Sequence, residues 1–370
     1  MEKQKSSTPK NLLFLGAILL FLFLYFKNKY GDSFFSKDTP DPQVVEVDEE
    51  KIRQQTADSL LIEKLNAATY CINNQTERVF DSYHRYLSWL DREKGPTGKE
   101  SHIYGLYSLY DYTSYVQEIK KNETPIAGKE QLDTLITAYI QSLEVLYEKV
   151  ETANRYYEHE DYKDDDFAKA REMHQPLLNA FDVFAAADKA LRSFIENEQS
   201  VGIKKEIESA QSRGDSSFVR AGKIMQSARE IMIAGSVVKP LDINLADFTA
   251  RLDQYIADSE DFQAYAKRHK EEEFMSHAAS FLAENDEFLK NAKDLMRRVR
   301  DKKPYDSSEQ WNDNFFSGWM IEGSPYELQR GYNDLAERYN DYMRLVGYQS
   351  PKIPHLTMLK ATFFHLKGPV

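Results

Sequence analysis

A chain of 370 residues with 29% charged side chains, 41% hydrophobic ones and only 15 glycines can bury a sizeable core and is neither disordered nor collagen-like. The formal charge is −12, and because five Lys against one Glu occupy the first 29 residues, the remainder carries −16. Such a body repels phosphate backbones, which argues against nucleic acid as a partner. Cys71 is the single cysteine, so an intramolecular disulfide and a cysteine-based zinc cage are both excluded.

Residues 1–10 form a basic segment with Lys3, Lys5 and Lys10. Leu12 to Phe26 then runs fifteen residues without a charge, closed by Lys27 and Lys29. That is short for a span, but flanking lysines can snorkel outward, and a soluble domain hardly begins on an unbroken Leu/Phe run. No small-x-small cleavage site follows directly, and no cysteine follows for lipid attachment. Residues 11–29 are therefore expected to be a transmembrane or signal-anchor helix. The lysine balance favours the N-terminus inside and the body outside, as a single-pass protein. Residues 30–54 carry Pro40, Pro42 and the acidic run Glu46, Asp48, Glu49, Glu50 with no apolar period. They read as a linker that, as a flexible coil, would hold the body roughly 30 Å from the membrane.

The body, residues 55–348, reads as helices throughout. Leu61, Leu65, Ala68, Ile72, Val79, Tyr83, Tyr86 and Leu90 form a stripe interrupted near Gln75 and ended by Gly95-Pro96. The Tyr-rich stretch Ile103 to Ile119 spreads Tyr104, Tyr107, Tyr110, Tyr112 and Tyr115 over several faces, as expected of a helix packed on more than one side. After Thr124-Pro125 and Gly128, the positions Leu132, Ile136, Tyr139, Leu143, Leu146, Val150, Ala153 and Tyr157 repeat at 4,3,4,3 without a break. Side chains three and four apart share one side of a helix, so this stripe, about 40 Å long at about 1.5 Å per residue, must be covered by other helices.

Asp164 to Asp166 suit the N-terminus of the next helix. That helix continues through Ala170, His174, Leu177, Phe181, Phe184, Asp188, Leu191 and Ile195. Two polar residues, His174 and Asp188, stand in this stripe four turns apart, about 21 Å, and so cannot belong to one site on one helix. Pro176 should kink or restart the helix.

The pieces Lys64-Leu65-Asn66, Asp161 to Lys169, Pro176-Leu177-Leu178 with Phe181, Lys293-Asp294-Leu295-Met296-Arg297, and Tyr332-Asn333-Asp334-Leu335 with Tyr339-Asn340 resemble, in this order, the YiiG-like family of bacterial envelope proteins. The resemblance covers most of residues 55 to 346. It implies a helical lipoprotein-like body of the envelope and carries over no catalytic residue. This chain departs from the family's lipoprotein pattern in lacking the acylated cysteine, so its apolar segment would have to do the anchoring, and the resemblance then implies a single-pass protein of the bacterial inner membrane with its body in the periplasm or outside the cell.

Farther on, Phe218, Met225, Ala228 and Met232 continue a helical pattern entered at Arg213-Gly214-Asp215. Gly235 to Asn244, with Pro240, has no helical period and is the expected division between halves 55–234 and 245–348. Phe248, Leu252, Tyr255 and Phe262 make one further stripe, and Phe274, Ala278, Phe281, Phe288, Ala292, Leu295 and Val299 another, interrupted by Asn285. The basic cluster Arg297, Arg298, Arg300, Lys302 and Lys303 complements the C-terminal dipole of that helix. An aromatic loop follows with Trp311, Phe315, Phe316 and Trp319, then a last helix through Leu328, Tyr332, Leu335, Tyr339, Tyr342 and Val346. Residues 349–370 form a C-terminal tail. The fold class is thus all-α, an elongated bundle of long antiparallel helices behind a single N-terminal membrane helix.

No segment carries a spaced nucleophile and base or a phosphate loop, so no catalytic residue and no cofactor is expected. The one constellation with metal-ligand spacing is His269, Glu273 and His277, at i, i+4, i+8, which on one helix would share a face. Two functions follow as expectations. The first is a membrane-tethered extracytoplasmic binding or scaffolding module whose partner is an envelope protein or other envelope component. The second is a metal- or small-ligand-dependent sensor or enzyme built on a Tyr-rich cleft.

Overall fold

The computed structural model describes residues 49–237, 239–270, 273–314, 318–347 and 357–361. Within them the chain is all-α, with one isolated antiparallel bridge between Asp91 and Gly95 and no strand. The helices are α1 (Glu49–Leu87), α2 (Thr113–Lys121), α3 (Glu130–Glu158), α4 (Ala168–Arg213), α5 (Ser216–Gly235), α6 (Leu245–Arg268), α7 (Glu273–Arg300), α8 (Ser307–Asn314) and α9 (Pro325–Gly347). The described residues from Gln55 onward form one compact unit. No helix among the described residues is long and apolar enough to cross a membrane. The Leu12–Phe26 run and the linker up to residue 48 lie outside those residues, as do Phe315, Phe316 and the side chains of Trp311 and Trp319. Helix α1 begins at Glu49, inside the expected linker.

All eight positions of the α3 stripe are buried, and so are the eight of α4, His174 and Asp188 included. Together with α1 they enclose a first core that extends from Leu65 to Ile195. A second core runs from Ile203 to Met343 among α5, α6, α7 and α9. The change of core falls within α4, between Ile195 and Ile203, and Ile243 belongs to the second core. Helix α4 can serve both because it continues through Pro176 without interruption for 46 residues, presenting one stretch to each core. At its end Gly214 adopts φ +78° and Asp215 caps α5 by accepting from the Phe218 amide at 3.2 Å, so Arg213-Gly214-Asp215 is a helix junction whose carboxylate is engaged.

The stretch 102–112 is not helical, contrary to the sequence expectation; only Thr113–Lys121 is. It lies along α1, whose side chains take its carbonyls: Arg85 Nε donates to Tyr104 O at 2.8 Å, Ser82 Oγ to Tyr107 O at 2.6 Å, and Arg78 Nε to Ser108 O at 2.7 Å. Gly105, at φ +60°, is packed so closely that a Cβ would meet Tyr157 Cβ at 3.0 Å. Trp89 Nε1 donates to its carbonyl at 2.8 Å. These bonds replace the intrahelical ladder and hold the segment open.

His174 and Asn285, the buried polar residues that interrupt two of the stripes, are each paired. His174 stands between Tyr86 Oη on Nδ1 at 2.9 Å and the Arg92 carbonyl on Nε2 at 2.8 Å. A ring with its proton on Nε2 satisfies both, since a carbonyl can only accept. Asn285 accepts from Tyr255 Oη at 2.7 Å and donates to Ser259 Oγ at 2.7 Å. Cys71 is wholly buried, and burial pushes its thiol up to about 12. The thiolate is the reactive form, so alkylation at pH 8 is expected in urea and not in the native protein. Native labelling at the rate of a free thiol would show that the first core opens.

Candidate functional site

Four asparagines on two helices define a groove. Asn66 and Asn73 lie on α1 and Asn333 and Asn340 on α9, each pair seven residues apart. Asparagine is a poor helix-interior residue, about 0.6 kcal/mol worse than alanine, because its amide competes with the backbone for hydrogen bonds. Here each amide has an occupant, the segment Thr357–Ala361. On the α1 side, Asn66 Oδ1 accepts from the Thr357 amide at 2.7 Å, Asn73 Nδ2 donates to Met358 O at 3.0 Å, and Asn73 Oδ1 accepts from the Lys360 amide at 2.8 Å. On the α9 side, Asn340 pairs with both backbone groups of Met358 at 2.7 and 3.2 Å, and Asn333 with both of Ala361 at 2.7 and 3.1 Å. Helix α4 supplies a third side: Gln199 Nε2 donates to Thr357 O and Arg192 Nη1 to Lys360 O, each at 2.6 Å.

The spacing has a geometric reason. Two helical turns rise about 10.5 Å, and the three-residue steps from Thr357 to Lys360 and from Met358 to Ala361 cover that distance only if the chain is nearly extended, at about 3.4 Å per residue. The segment therefore runs extended, parallel to α1 and antiparallel to α9. A carboxamide places a donor beside an acceptor, so each asparagine engages a peptide unit as a neighbouring strand would. This recognition ignores side chains. Selectivity enters through Met358, 1% exposed in the second core, and Leu359, 5% exposed in the first. Successive side chains of an extended chain point to opposite sides, which is how two neighbours reach two cores.

Lys360 Nζ meets Glu337 at 2.8 Å, and that bond holds the Glu337 carboxyl below its usual range. Two clefts adjoin the segment. One, of about 510 Å³, includes Asn73, Asp81, His84, Arg192, Arg330 and Lys360 in its lining; the other, of about 500 Å³, includes Glu63, Asn66, Tyr70, Glu118 and Thr357. Beneath the groove, Asp188 is fully buried, accepting from Arg192 Nε at 2.6 Å and from Thr76 Oγ1 at 2.7 Å. Burial pushes its carboxyl up, against the pull of Arg192 and Thr76. Asp188 thereby orients the guanidinium that holds the Lys360 carbonyl.

The metal-spaced triplet is not carried by one helix. His269 terminates α6 with its ring stacked on Tyr265 at 4.2 Å, while Glu273 opens α7. The side chains of Glu273 and His277 lie outside the described residues. Among the described residues, no group of three or more His, Cys, Asp or Glu is placed to hold a metal ion. His174 and Asp188 sit in separate surroundings, with different partners, as their spacing requires. The tyrosines of 102–112 form a surface ladder: Tyr104, Tyr107 and Tyr110 are 50%, 38% and 56% exposed, interleaved with Arg85 and Arg78, whose guanidinium carbons lie 4.4 and 4.5 Å from the Tyr107 ring centroid. In the basic cluster, Arg298 is buried and paired with Glu309 at 2.6 Å, and Arg297 pairs with Asp294 at 2.7 Å.

Of the groove residues, Asn66, Asn333 and Asn340 fall within the sequence pieces that carry the family resemblance, but sequence reasoning gave them no role, and Asn73, Gln199 and Arg192 went unnoticed. The available signal was the repeat of a helix-disfavoured residue at seven-residue spacing on two helices. Residues 59–341 match the family described as a protein of unknown function (DUF3829). The uncharacterized protein YiiG of Escherichia coli (strain K12) is similar, 27% identical over 285 residues that make up 75% of this chain and 78% of that protein. No solved structure matches.

Proposed function

We infer that this chain, which belongs to the DUF3829 family of proteins of unknown function, is a membrane-tethered extracytoplasmic binding or scaffolding module of the bacterial cell envelope. Its body would be an elongated bundle of long antiparallel helices carried behind a single N-terminal transmembrane or signal-anchor helix at Leu12–Phe26. The observation that supports binding over chemistry is the groove. Its asparagine side chains engage peptide backbone. Holding another envelope protein is the activity such a groove serves, with the linker giving reach and the anchor confining the search to the membrane surface.

Two measurements test this. Full-length protein is expected to stay in membranes after alkaline carbonate extraction; a soluble chain whose mature N-terminus lies after the apolar run would overturn the anchor. A photo-crosslinking residue in place of Tyr70, which is exposed beside Asn66, is expected to capture an envelope protein in intact cells, and adducts to cytoplasmic proteins alone would sink the envelope assignment. The alternative, a metal- or small-ligand-dependent sensor or enzyme, has the Tyr–Arg ladder in its favour. One tightly bound metal per chain, lost on His269→Ala and on His277→Ala, would select it.

A further inference from the structure

We propose that the groove between α1, α4 and α9 is a binding site for an extended polypeptide segment of a partner protein, one with two adjacent large apolar residues followed by a basic residue. Thr357–Ala361 is then this chain's own copy of that ligand, which the partner's segment displaces. The proposal rests on the reading of the body as a binding module and names what it binds.

The seated segment shows what the groove accepts. Nine hydrogen bonds from Asn66, Asn73, Gln199, Arg192, Asn333 and Asn340 all end on backbone atoms. Any extended chain running parallel to α1 can make them, as in recognition by strand addition, where main-chain bonds give affinity and alternate side chains give specificity. The side-chain demands reduce to three: an apolar group for the second core, its neighbour for the first, and a cation for Glu337. A segment held by polar ladders and only two fully apolar anchors is a fitting occupant to exchange, in contrast with α3, which buries a whole stripe. The clefts next to Asn66 and Thr357 at one end, and next to Lys360 and Ala361 at the other, extend the accessible surface of the groove past the five seated residues.

Tethering sets the competition. Only residues 348–356 separate α9 from Thr357, and a short connection supplies its own ligand at a roughly millimolar effective concentration. A free peptide must therefore bind wild-type chain weakly and a chain with its segment expelled much more tightly.

The test uses full-length protein in detergent and a fluorescent peptide covering residues 355–363. Met358→Asp with Leu359→Asp expels the resident segment by charging both anchors. The peptide is expected to bind this variant at least about tenfold more tightly than wild type, and a peptide carrying the same two changes should not bind. Adding Asn73→Ala and Asn340→Ala to the emptied chain should weaken binding about tenfold or more. No binding to an emptied chain whose helical circular dichroism is intact overturns the proposal. If that variant fails to fold, hydrogen exchange on wild type decides: amides of Thr357, Met358, Lys360 and Ala361 exchanging about a hundredfold faster than those of α3 support exchangeability, and protection equal to α3 overturns it. Peptide failure alongside continued capture of an envelope protein through position 70 would sink this proposal and leave the binding-module reading standing. Peptide binding with no capture in cells would leave the groove a polypeptide site and sink the envelope partner.

Discussion

Leu143→Asp is expected to lower the unfolding free energy by about 4–5 kcal/mol, enough to leave many proteins of ordinary stability largely unfolded. Leu143 lies mid-way along α3 with no exposed surface, at the centre of the first core. The substitution forfeits about 2–3 kcal/mol of apolar burial. It also places a carboxyl inside a core of apolar side chains, where the group must either stay protonated or draw in water. Urea unfolding followed by circular dichroism measures the change. An unfolding midpoint equal to that of wild type would mean that the α3 stripe faces solvent, and the whole arrangement of α1, α3 and α4 would fall with it.

Asp188→Ala should cost about 3–5 kcal/mol, for a different reason. The carboxylate is fully buried against Arg192, itself 5% exposed. Removing one member of a buried pair leaves the other charge without compensation, which costs more than the pair contributes. Thr76 Oγ1 loses its acceptor as well. The damage should reach the groove, because the freed guanidinium is no longer held toward the Lys360 carbonyl. Asp188→Leu combined with Arg192→Met removes both charges and is expected to be at least about 2 kcal/mol less destabilising than the sum of the two single changes. Strict additivity in chemical unfolding would show that the two side chains do not act as a pair.

What the sequence by itself determined is what repeats locally. Residues three and four apart share a helical side whatever lies elsewhere in the chain, so the stripes from Leu132 to Tyr157 and from Ala170 to Ile195 could be read directly, and every one of those positions is buried. Caps are equally local, and Gly214 with Asp215 marks a junction in both sequence and structure. What only the tertiary structure decided is where a segment finds partners far along the chain. Tyrosines at 104, 107, 110 and 112 are compatible with a helix, yet Arg78, Ser82 and Arg85 take the carbonyls of Ser108, Tyr107 and Tyr104 and leave residues 102–112 non-helical. The change of core inside α4 leaves no break in helical periodicity, because one helix can bury successive stretches against different neighbours. The groove depends most on tertiary structure. The seven-residue spacing of Asn66 and Asn73, and of Asn333 and Asn340, is visible in the letters. That the two pairs face each other across Thr357–Ala361 is not, since a carboxamide satisfied by water on an isolated helix looks the same in sequence as one satisfied by a peptide nearly 300 residues away. Periodicity reports which face is buried, and the identity of a hydrogen-bond partner is settled only when folding brings donor and acceptor within about 3 Å.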